Sequence, residues 1–187
     1  MKSKKMNLGD LIFILFYKFN GEIKGRTTLQ KLVDIIRLDS EIEIDVNYKP
    51  YDYGDFSQQI NDVIQVYIDN SWVCKDEIPY DENKRFDIFR LTVNGFKIAK
   101  TLYENLLSKE LEYLQIIDKF IRKSQNDIIS YSYFWYPEFA IQSIIKRDVF
   151  VRSKILELLD GELETEYNLI LSSGTSIKDK IKESWKC

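Results

Sequence analysis

The sequence predicts a mostly helical α+β chain in two parts. Apolar residues recur at helical spacing in several segments. Shorter segments between turn signals are rich in β-branched and aromatic residues, which is typical of strands. The second half differs, because its patterns are helical only. We therefore expect a first domain over residues 5–107 and a helical extension over residues 108–187.

Two helices are predicted at the start of the first domain. The first covers Asn7 to Phe19, where six apolar residues recur at i, i+3 and i+4, and Gly21 follows as a stop. The second covers about Thr28 to Arg37, with Thr27 as its N-cap. Both have one continuous apolar face, so both are expected to pack into the core.

A strand and a third helix follow. Glu41 to Val46 alternates polar and apolar residues, which predicts a half-buried strand. A turn then leads to a helix from about Ser57 to Asp69, with Ser57 as its N-cap. Asn70 is expected to take the left-handed conformation that ends this helix.

A hairpin and a fourth helix complete the first domain. Strands are predicted at Ser71–Lys75 and Phe86–Leu91, with the polar segment Asp76–Arg85 as the loop between them. Thr92 can cap a helix that runs through Leu107. Helix, helix, strand, helix and hairpin is the order of a winged helix-turn-helix, which we predict for residues 5–107.

The extension is expected to be helical and to support a dimer. Ser130 to Phe139 holds six aromatic residues without interleaved Lys or Arg, so we interpret it as a packing surface and not as a base-stacking one. The predicted helices of this part cover about Leu111–Ile121, Asp127–Phe134, Val151–Leu159 and a last segment opened by Ser176 with Asp179.

The composition excludes several classes of function. Histidine is absent, so no catalytic triad, His-ligated metal or His-based pH switch can form. The two cysteines, Cys74 and Cys187, form no CxxC pair. The acids Glu41, Glu43 and Asp45 share one strand face, which we interpret as solvated and not as a cation site. We expect no enzyme, no cofactor and no metal.

The apolar segments are too short for a membrane. No stretch approaches 18 consecutive apolar residues, and the run LIFILF near the N-terminus lacks a cleavage signal. Cysteine usage fits a reducing compartment. We therefore expect a cytoplasmic protein with no membrane contact.

Four segments carry short motifs that occur together in one family. They are GRTTLQKLVDII (25–36, resembling GRT-x-LQK), PYDYGDFS (50–57, resembling PYDYGP(Y/F)S), FRLTVNGFKIA (89–99, resembling LT-x-x-G-x-x-x-A) and YFWYPEF (133–139, similar to Y-x-x-YPE). Through them the chain resembles the YwgA-like prokaryotic winged-helix proteins, a largely uncharacterised family. The resemblance implies a winged-helix N-terminal domain, a helical C-terminal part, and relatives regarded as regulators or as members of phage-related, mobile or defence loci. Asp55 stands where the family's turn usually has proline, which adds negative charge beside the third helix.

The third helix carries the candidate DNA-reading side chains. Gln and Asn amides can pair with adenine in the major groove. The segment Asp55–Asn70 has three Asp and no Lys or Arg, so phosphate contacts must come from elsewhere. The expected sources are the hairpin and the N-terminal residues Lys2, Lys4 and Lys5. The alternative is a solvated face that reads nothing, because Asp repels the DNA backbone. The candidates are Ser57, Gln58, Gln59, Asn61, Gln65, Lys84 and Arg85.

A second group of candidates is structural. We expect Arg26 to form an ion pair with Asp52 and so to hold the turn that contains Tyr53 and Gly54. Tyr51 and Tyr53 are expected to pack this turn onto the first two helices. The alternative is that Arg26 binds a phosphate near the positive end of the second helix.

Two functions are consistent with the sequence. The first is a DNA-binding transcriptional regulator of modest affinity that acts as a dimer on double-stranded DNA. The second is a non-enzymatic protein-interaction module, such as an antitoxin-like or phage-defence subunit, whose winged helix no longer binds DNA. In the second case the acidic third helix docks a basic partner protein.

Overall fold

The structure is a computed structural model that describes residues 4–52, 54–81, 84–136 and 143. The protein is α+β and mostly helical, as predicted. It divides into two compact units, one of residues 1–47 and 57–123, the other of residues 48–56 and 124–187. The expected boundary after residue 107 stays a prediction, but α5 (Ser108–Leu114) and the 3-10 helix Gln115–Phe120 belong to the first unit.

Helix α1 (Leu8–Lys18) is the centre of the first unit and confirms the prediction. Asn7 caps it by accepting the backbone N–H groups of Gly9 (2.8 Å) and Asp10 (3.4 Å). The run Leu11–Phe16 is buried on every side of the helix. Such all-round burial shows that other elements cover α1 on several faces.

Helix α2 (Arg26–Asp39) begins earlier than predicted. Its N-cap is Gly25 and not Thr27. Gly25 has φ 84°, a left-handed conformation that favours glycine, which explains the glycine in the GRT motif. Nine consecutive residues, Thr28 to Ile36, are buried, so α2 is also part of the core.

The first unit holds two small sheets. β1 (Lys4–Met6) pairs in parallel with β3 (Ile42–Ile44), which confirms the alternating strand. β2 (Glu22–Lys24) pairs with the second strand of the hairpin, β4 (Val73–Asp81) and β5 (Lys84–Leu91), in the order β2-β5-β4. Neither β1 nor β2 is predicted by the sequence, because three residues are too few for a period-2 pattern.

The hairpin is longer than predicted. The polar segment expected to be a loop is mostly paired strand, with Asp76 opposite Ile88 and Pro79 opposite Arg85. Proline is tolerated there because β4 is an edge strand. The polarity of this segment therefore reflects the solvent exposure of a two-stranded ribbon, not the absence of regular structure.

Helix α3 (Gln58–Asp69) confirms the third predicted helix, but its ends differ. Ser57 is the N-cap residue, yet its side chain makes no capping hydrogen bond. Asn70 has φ −87°, and Ser71 takes the left-handed conformation with φ 56°. The chain thus turns one residue later than expected.

Helix α4 (Val93–Glu104) is capped as predicted by Thr92, which accepts the N–H of Gly95 at 3.2 Å. It ends before Leu107, which is the N-cap residue of α5 instead. The helix predicted around 111–121 is divided between α5 and the 3-10 helix.

Helix α6 (Gln125–Trp135) belongs to the second unit and confirms the helix predicted at Asp127–Phe134. Tyr133, Phe134 and Tyr136 are buried, as expected for an aromatic segment that packs. The Tyr133 hydroxyl donates to Ser143 at 2.6 Å, and burial raises the pKa of Tyr133 to about 12. The helices predicted at 151–159 and from Ser176 lie outside the described residues.

Candidate functional site

The outward side of α3 carries five exposed residues, which we call the α3 surface: Gln58, Asp62, Gln65, Val66 and Asp69. Two are carboxylates, two are amides, and Val66 is 51% exposed. The helix contains no cation. The α3 surface is therefore acidic with an apolar component.

The two outward amides are held by these carboxylates. Gln58 Nε2 donates to Asp62 at 2.8 Å, and Gln65 Nε2 donates to Asp69 at 2.8 Å. Each pair is four residues apart and so lies on neighbouring turns of one face. The amide N–H that would donate to an adenine is already donated to a carboxylate in each pair. An adenine would therefore have to displace that carboxylate.

The other candidates on α3 face the protein. Gln59 Oε1 accepts the backbone N–H of Asn47 at 2.7 Å. Asn61 Oδ1 lies 3.4 Å from Gln30 Nε2. Ser57 is fully buried, so its side chain is not available to a duplex, and its assignment as a DNA-reading residue is wrong.

Gln30 on α2 positions the start of α3, a role that the sequence does not reveal. Its Nε2 donates to the carbonyl of Ser57 at 2.8 Å, and its Oε1 accepts the N–H of Ser57 at 2.9 Å. Both groups are buried. The Gln of the GRT-x-LQK segment thus satisfies the backbone at the point where α3 begins.

Arg26 lies at the N-terminus of α2 and pairs with the hairpin. Its Nε donates to Asp87 on β5 at 2.7 Å, so the expected ion pair with Asp52 is wrong. The other oxygen of Asp87 lies 3.1 Å from Lys75 Nζ on β4, and Lys75 also reaches Glu77 at 2.6 Å. The hydrogen bond that Lys75 donates to Glu77, together with the hydrogen bond to Asp87 and its charge, raises the pKa of Lys75 above its ordinary value.

The same pattern holds further along the sheet. Arg90 on β5 donates to Glu22 at 2.6 Å and also pairs with Asp76. Burial opposes ionisation of Glu22, but the hydrogen bond and charge of Arg90 outweigh it and hold the pKa of Glu22 below its ordinary value. Lys24 reaches Glu22 at 3.4 Å. On this sheet Lys24, Lys75 and Arg90 thus each have a carboxylate partner.

The turn at 51–54 is built from its own residues. Gly54 has φ 84° and donates its N–H to the carbonyl of Tyr51 at 3.0 Å. The backbones of Asp52 and Gly54 form an isolated β-bridge. Tyr51 is 53% exposed, and its ring centroid lies 5.2 Å from that of Phe56. The expected packing of this turn onto the first two helices stays a prediction, because the turn belongs to the second unit. Tyr53 lies outside the described residues.

An open cleft lies between the start of α2, helix α3 and strand β5. It encloses about 300 Å³, including space open to solvent. Its lining combines four apolar side chains with three polar ones, and the surface that it exposes to solvent is mainly polar. The lining residues are Leu29, Ile64, Ile68 and Phe89, with Arg26, Asn61 and Gln65.

Lys84 and Arg85, the candidate phosphate contacts, are the first residues of β5 beside the hairpin turn. The segments that contribute to this side of the protein are acidic on balance. Residues 22–26, 58–69 and 73–90 together contain six basic and eight acidic residues, which gives a net charge of −2. Such a balance is unusual for a phosphate-binding surface.

The described residues hold no metal site and no membrane span. Among them, no group of three or more carboxylates or cysteines could hold a metal ion. The helices of the same residues are too short or too polar to cross a bilayer. Two of the strand acids make contacts of their own: Glu41 accepts the Tyr113 hydroxyl, and Asp45 pairs with Lys5 at 3.4 Å.

No protein-family model, curated protein or solved structure matches the chain. The likeness to YwgA-like proteins thus remains a resemblance of short segments.

Proposed function

We propose that residues 5–107 form a winged helix-turn-helix that serves as a non-enzymatic interaction module. Two features support this architecture. Strand β2, which lies between α1 and α2, pairs with β5 of the hairpin in the sheet order β2-β5-β4. This pairing attaches the hairpin to the helices of the first unit. Helix α3 precedes that ribbon directly and exposes one side to solvent. In a winged helix this is the recognition surface.

We infer that the partner is a basic protein segment and not duplex DNA. The observation that carries this inference is the pairing of Arg26 and Lys75 with Asp87. A phosphate would have to compete with that carboxylate for both cations, and it would also meet Asp62 and Asp69 on the α3 surface. An Arg or Lys side chain meets the same carboxylates favourably.

The shape of the surface supports the same partner class. Val66 stands exposed on α3, between Asp62 and Asp69 in the sequence. Apolar area at the centre with carboxylates around it resembles the organisation of protein interfaces. The segment that fits has an apolar side chain for Val66 and flanking basic residues for Asp62 and Asp69.

DNA binding is the second candidate, and one observation favours it. Lys84 and Arg85 stand together beside the hairpin turn, where the wing of a winged helix meets the DNA backbone. Under this alternative, the Gln58 and Gln65 amides exchange their carboxylate partners for bases. The dimeric DNA-binding regulator that the sequence predicts belongs to this second candidate function.

A peptide-binding experiment tests the leading proposal. The probe is a fluorescent peptide of alternating Arg and Leu, titrated with wild type and with the double variant Asp62→Asn/Asp69→Asn. We expect the double variant to bind at least about tenfold more weakly, equivalent to about 1.4 kcal/mol. The matched control is Glu104→Gln/Glu112→Gln, which removes two exposed charges from α4 and α5. Equal losses in both variants would show only a general charge effect and would contradict the proposal.

A further inference from the structure

The five residues of the α3 surface occupy a narrow arc of the helix. At about 100° per residue, the arc from Gln65 to Val66 through the others covers about 100°. Asp62 and Asp69 are seven residues apart, so they fall within about 20° of one line along the helix. Val66 lies between them along the axis, to one side of that line. The α3 surface is therefore one continuous face of three helical turns.

The negative charge of this face is not compensated by the helix itself. Gln58 and Gln65 donate to the Oδ1 atoms of the two aspartates, but an amide is neutral and leaves each charge in place. The last turn of α3 holds Asp69 and no cation, and it also carries the negative end of the helix dipole. A cation is therefore favoured at both aspartates, and more strongly at Asp69 than at Asp62.

The spacing of the two aspartates favours one conformation of the partner. Seven residues correspond to about 10.5 Å along the axis of α3. In a partner helix, two basic residues seven positions apart have the same separation and share one face. In an extended strand, the side chains of one face recur every second residue, which puts them about 6.6 or 13.2 Å apart. The helical spacing fits the aspartates, and the extended spacing does not.

The backbone of the partner leads to the same conformation. An extended segment gains affinity mainly by adding to a free sheet edge. α3 offers no such edge, because its backbone groups are hydrogen-bonded along the helix. A partner helix satisfies its own backbone groups. It can also place an apolar side chain, three or four residues from its basic ones, against Val66, which is 51% exposed.

We propose that the partner of the α3 surface is an amphipathic basic helix, with two Arg or Lys residues seven positions apart and an apolar residue between them. The basic residues pair with Asp62 and Asp69, and the apolar residue covers Val66. This inference rests on the proposed function, because it names the conformation and spacing of the basic segment inferred there. Asp69 is the stronger anchor of the two aspartates.

Two fluorescent peptides of identical composition test the spacing, each an alanine helix with one leucine and two arginines. In the first peptide the arginines are seven positions apart, with the leucine four positions after the first arginine. In the second they are five positions apart, which places them about 140° apart around a helix. We expect the full chain to bind the first peptide at least about tenfold more tightly.

Single variants of the full chain locate this preference on α3. Asp69→Asn should remove most of the difference between the two peptides, and Asp62→Asn should remove less of it. Glu112→Gln, which removes one exposed charge from α5, should retain the whole difference. Circular dichroism of the mixture gives an independent measurement, because binding should increase the helical signal of the first peptide.

Equal affinity for the two peptides, or a preference that persists in Asp62→Asn/Asp69→Asn, would overturn the helical partner. The alternating Arg and Leu peptide separates this failure from that of the proposed function. If that peptide binds through Asp62 and Asp69 while the first helical peptide has no advantage over the second, the basic partner stands and its helical form is wrong. If none of the three peptides binds, both proposals are wrong.

Discussion

Gln30 and Ser57 form a reciprocal pair of buried hydrogen bonds that joins α2 to the start of α3. The side-chain amide of Gln30 donates to the Ser57 carbonyl and accepts the Ser57 N–H, at 2.8 and 2.9 Å. The two residues are 27 positions apart. The pair therefore fixes where the exposed helix begins relative to the helix behind it.

Gln30→Ala should destabilise the protein by about 2–4 kcal/mol, since each buried polar group left unpaired costs about 1–3 kcal/mol. Urea unfolding followed by circular dichroism measures the change. The control is Gln65→Ala, which removes an exposed amide bonded to Asp69 and should cost below about 0.5 kcal/mol. Similar losses in the two variants would show that the pair is not a significant contact.

Asp87→Asn should increase nonspecific DNA binding. This carboxylate pairs with both Arg26 and Lys75, so its loss leaves Arg26 available for phosphates and Lys75 with Glu77 as its remaining partner. We expect affinity for a random duplex at low salt to rise by about tenfold, or about 1.4 kcal/mol. Glu112→Gln on α5 makes the same change in net charge. If it raised the affinity equally, Asp87 would have no special role.

Gly95→Ala should be strongly destabilising. A Cβ at Gly95 would overlap the backbone carbonyl of Trp72, which accepts the N–H of Thr92. Overpacking against backbone costs about 1–3 kcal/mol or more. Thermal unfolding of Gly95→Ala should show this loss.

Gly9→Ala in α1 is the matched control for that substitution. Its Cβ would meet only the ends of two side chains, Asn7 Oδ1 at 3.1 Å and the Tyr67 hydroxyl at 3.2 Å. Alanine also favours a helix over glycine by about 0.8–1.0 kcal/mol, which offsets a small adjustment. A Gly95→Ala variant as stable as Gly9→Ala would contradict the close packing of α4 against the end of α3.

Tyr67 should make the protein sensitive to high pH. Burial, together with the charge of Asp10, raises the pKa of Tyr67 above its ordinary 10.0. The unfolded chain therefore loses this proton first, and stability falls as pH rises above the ordinary pKa. Tyr67→Phe should lose about 1 kcal/mol at neutral pH, because the hydroxyl donates to the Gly9 carbonyl at 2.5 Å.

The same variant should lose less stability at alkaline pH than wild type does. Urea unfolding at pH values from about 8 to 11, on either side of the ordinary tyrosine pKa, measures both slopes. Equal slopes for wild type and Tyr67→Phe would show that this hydroxyl does not contribute to the alkaline loss.

The sequence predicts the long helices of the first unit because each has a continuous apolar face. α1, α3 and α4 fall close to their expected limits, and Thr92 caps α4 as predicted. The three-residue strands β1 and β2 could not be predicted, since pairing with distant strands creates them. The sequence predicts a loop over much of the β4–β5 ribbon because solvent-exposed strands and loops are both polar.

The candidate site was predictable in position but not in contacts. The acidic, amide-rich side of α3 follows directly from helical spacing. The partner of Arg26 does not, because Asp87 lies 61 residues away and Asp52 is nearer in sequence. The burial of Ser57 likewise depends on tertiary packing, which the N-cap pattern of Ser57 does not reveal.

The most direct test of the central claim is fluorescence anisotropy of wild type against random duplex DNA. The salt series runs from roughly 50 to 200 mM, where phosphate contacts give a steep slope. If the cations near α3 are neutralised by their carboxylate partners, only weak binding with a shallow salt slope should appear, even at the lowest salt. Binding that weakens steeply with salt, and a slope that flattens in Lys84→Ala/Arg85→Ala, would contradict the claim and establish DNA as the partner.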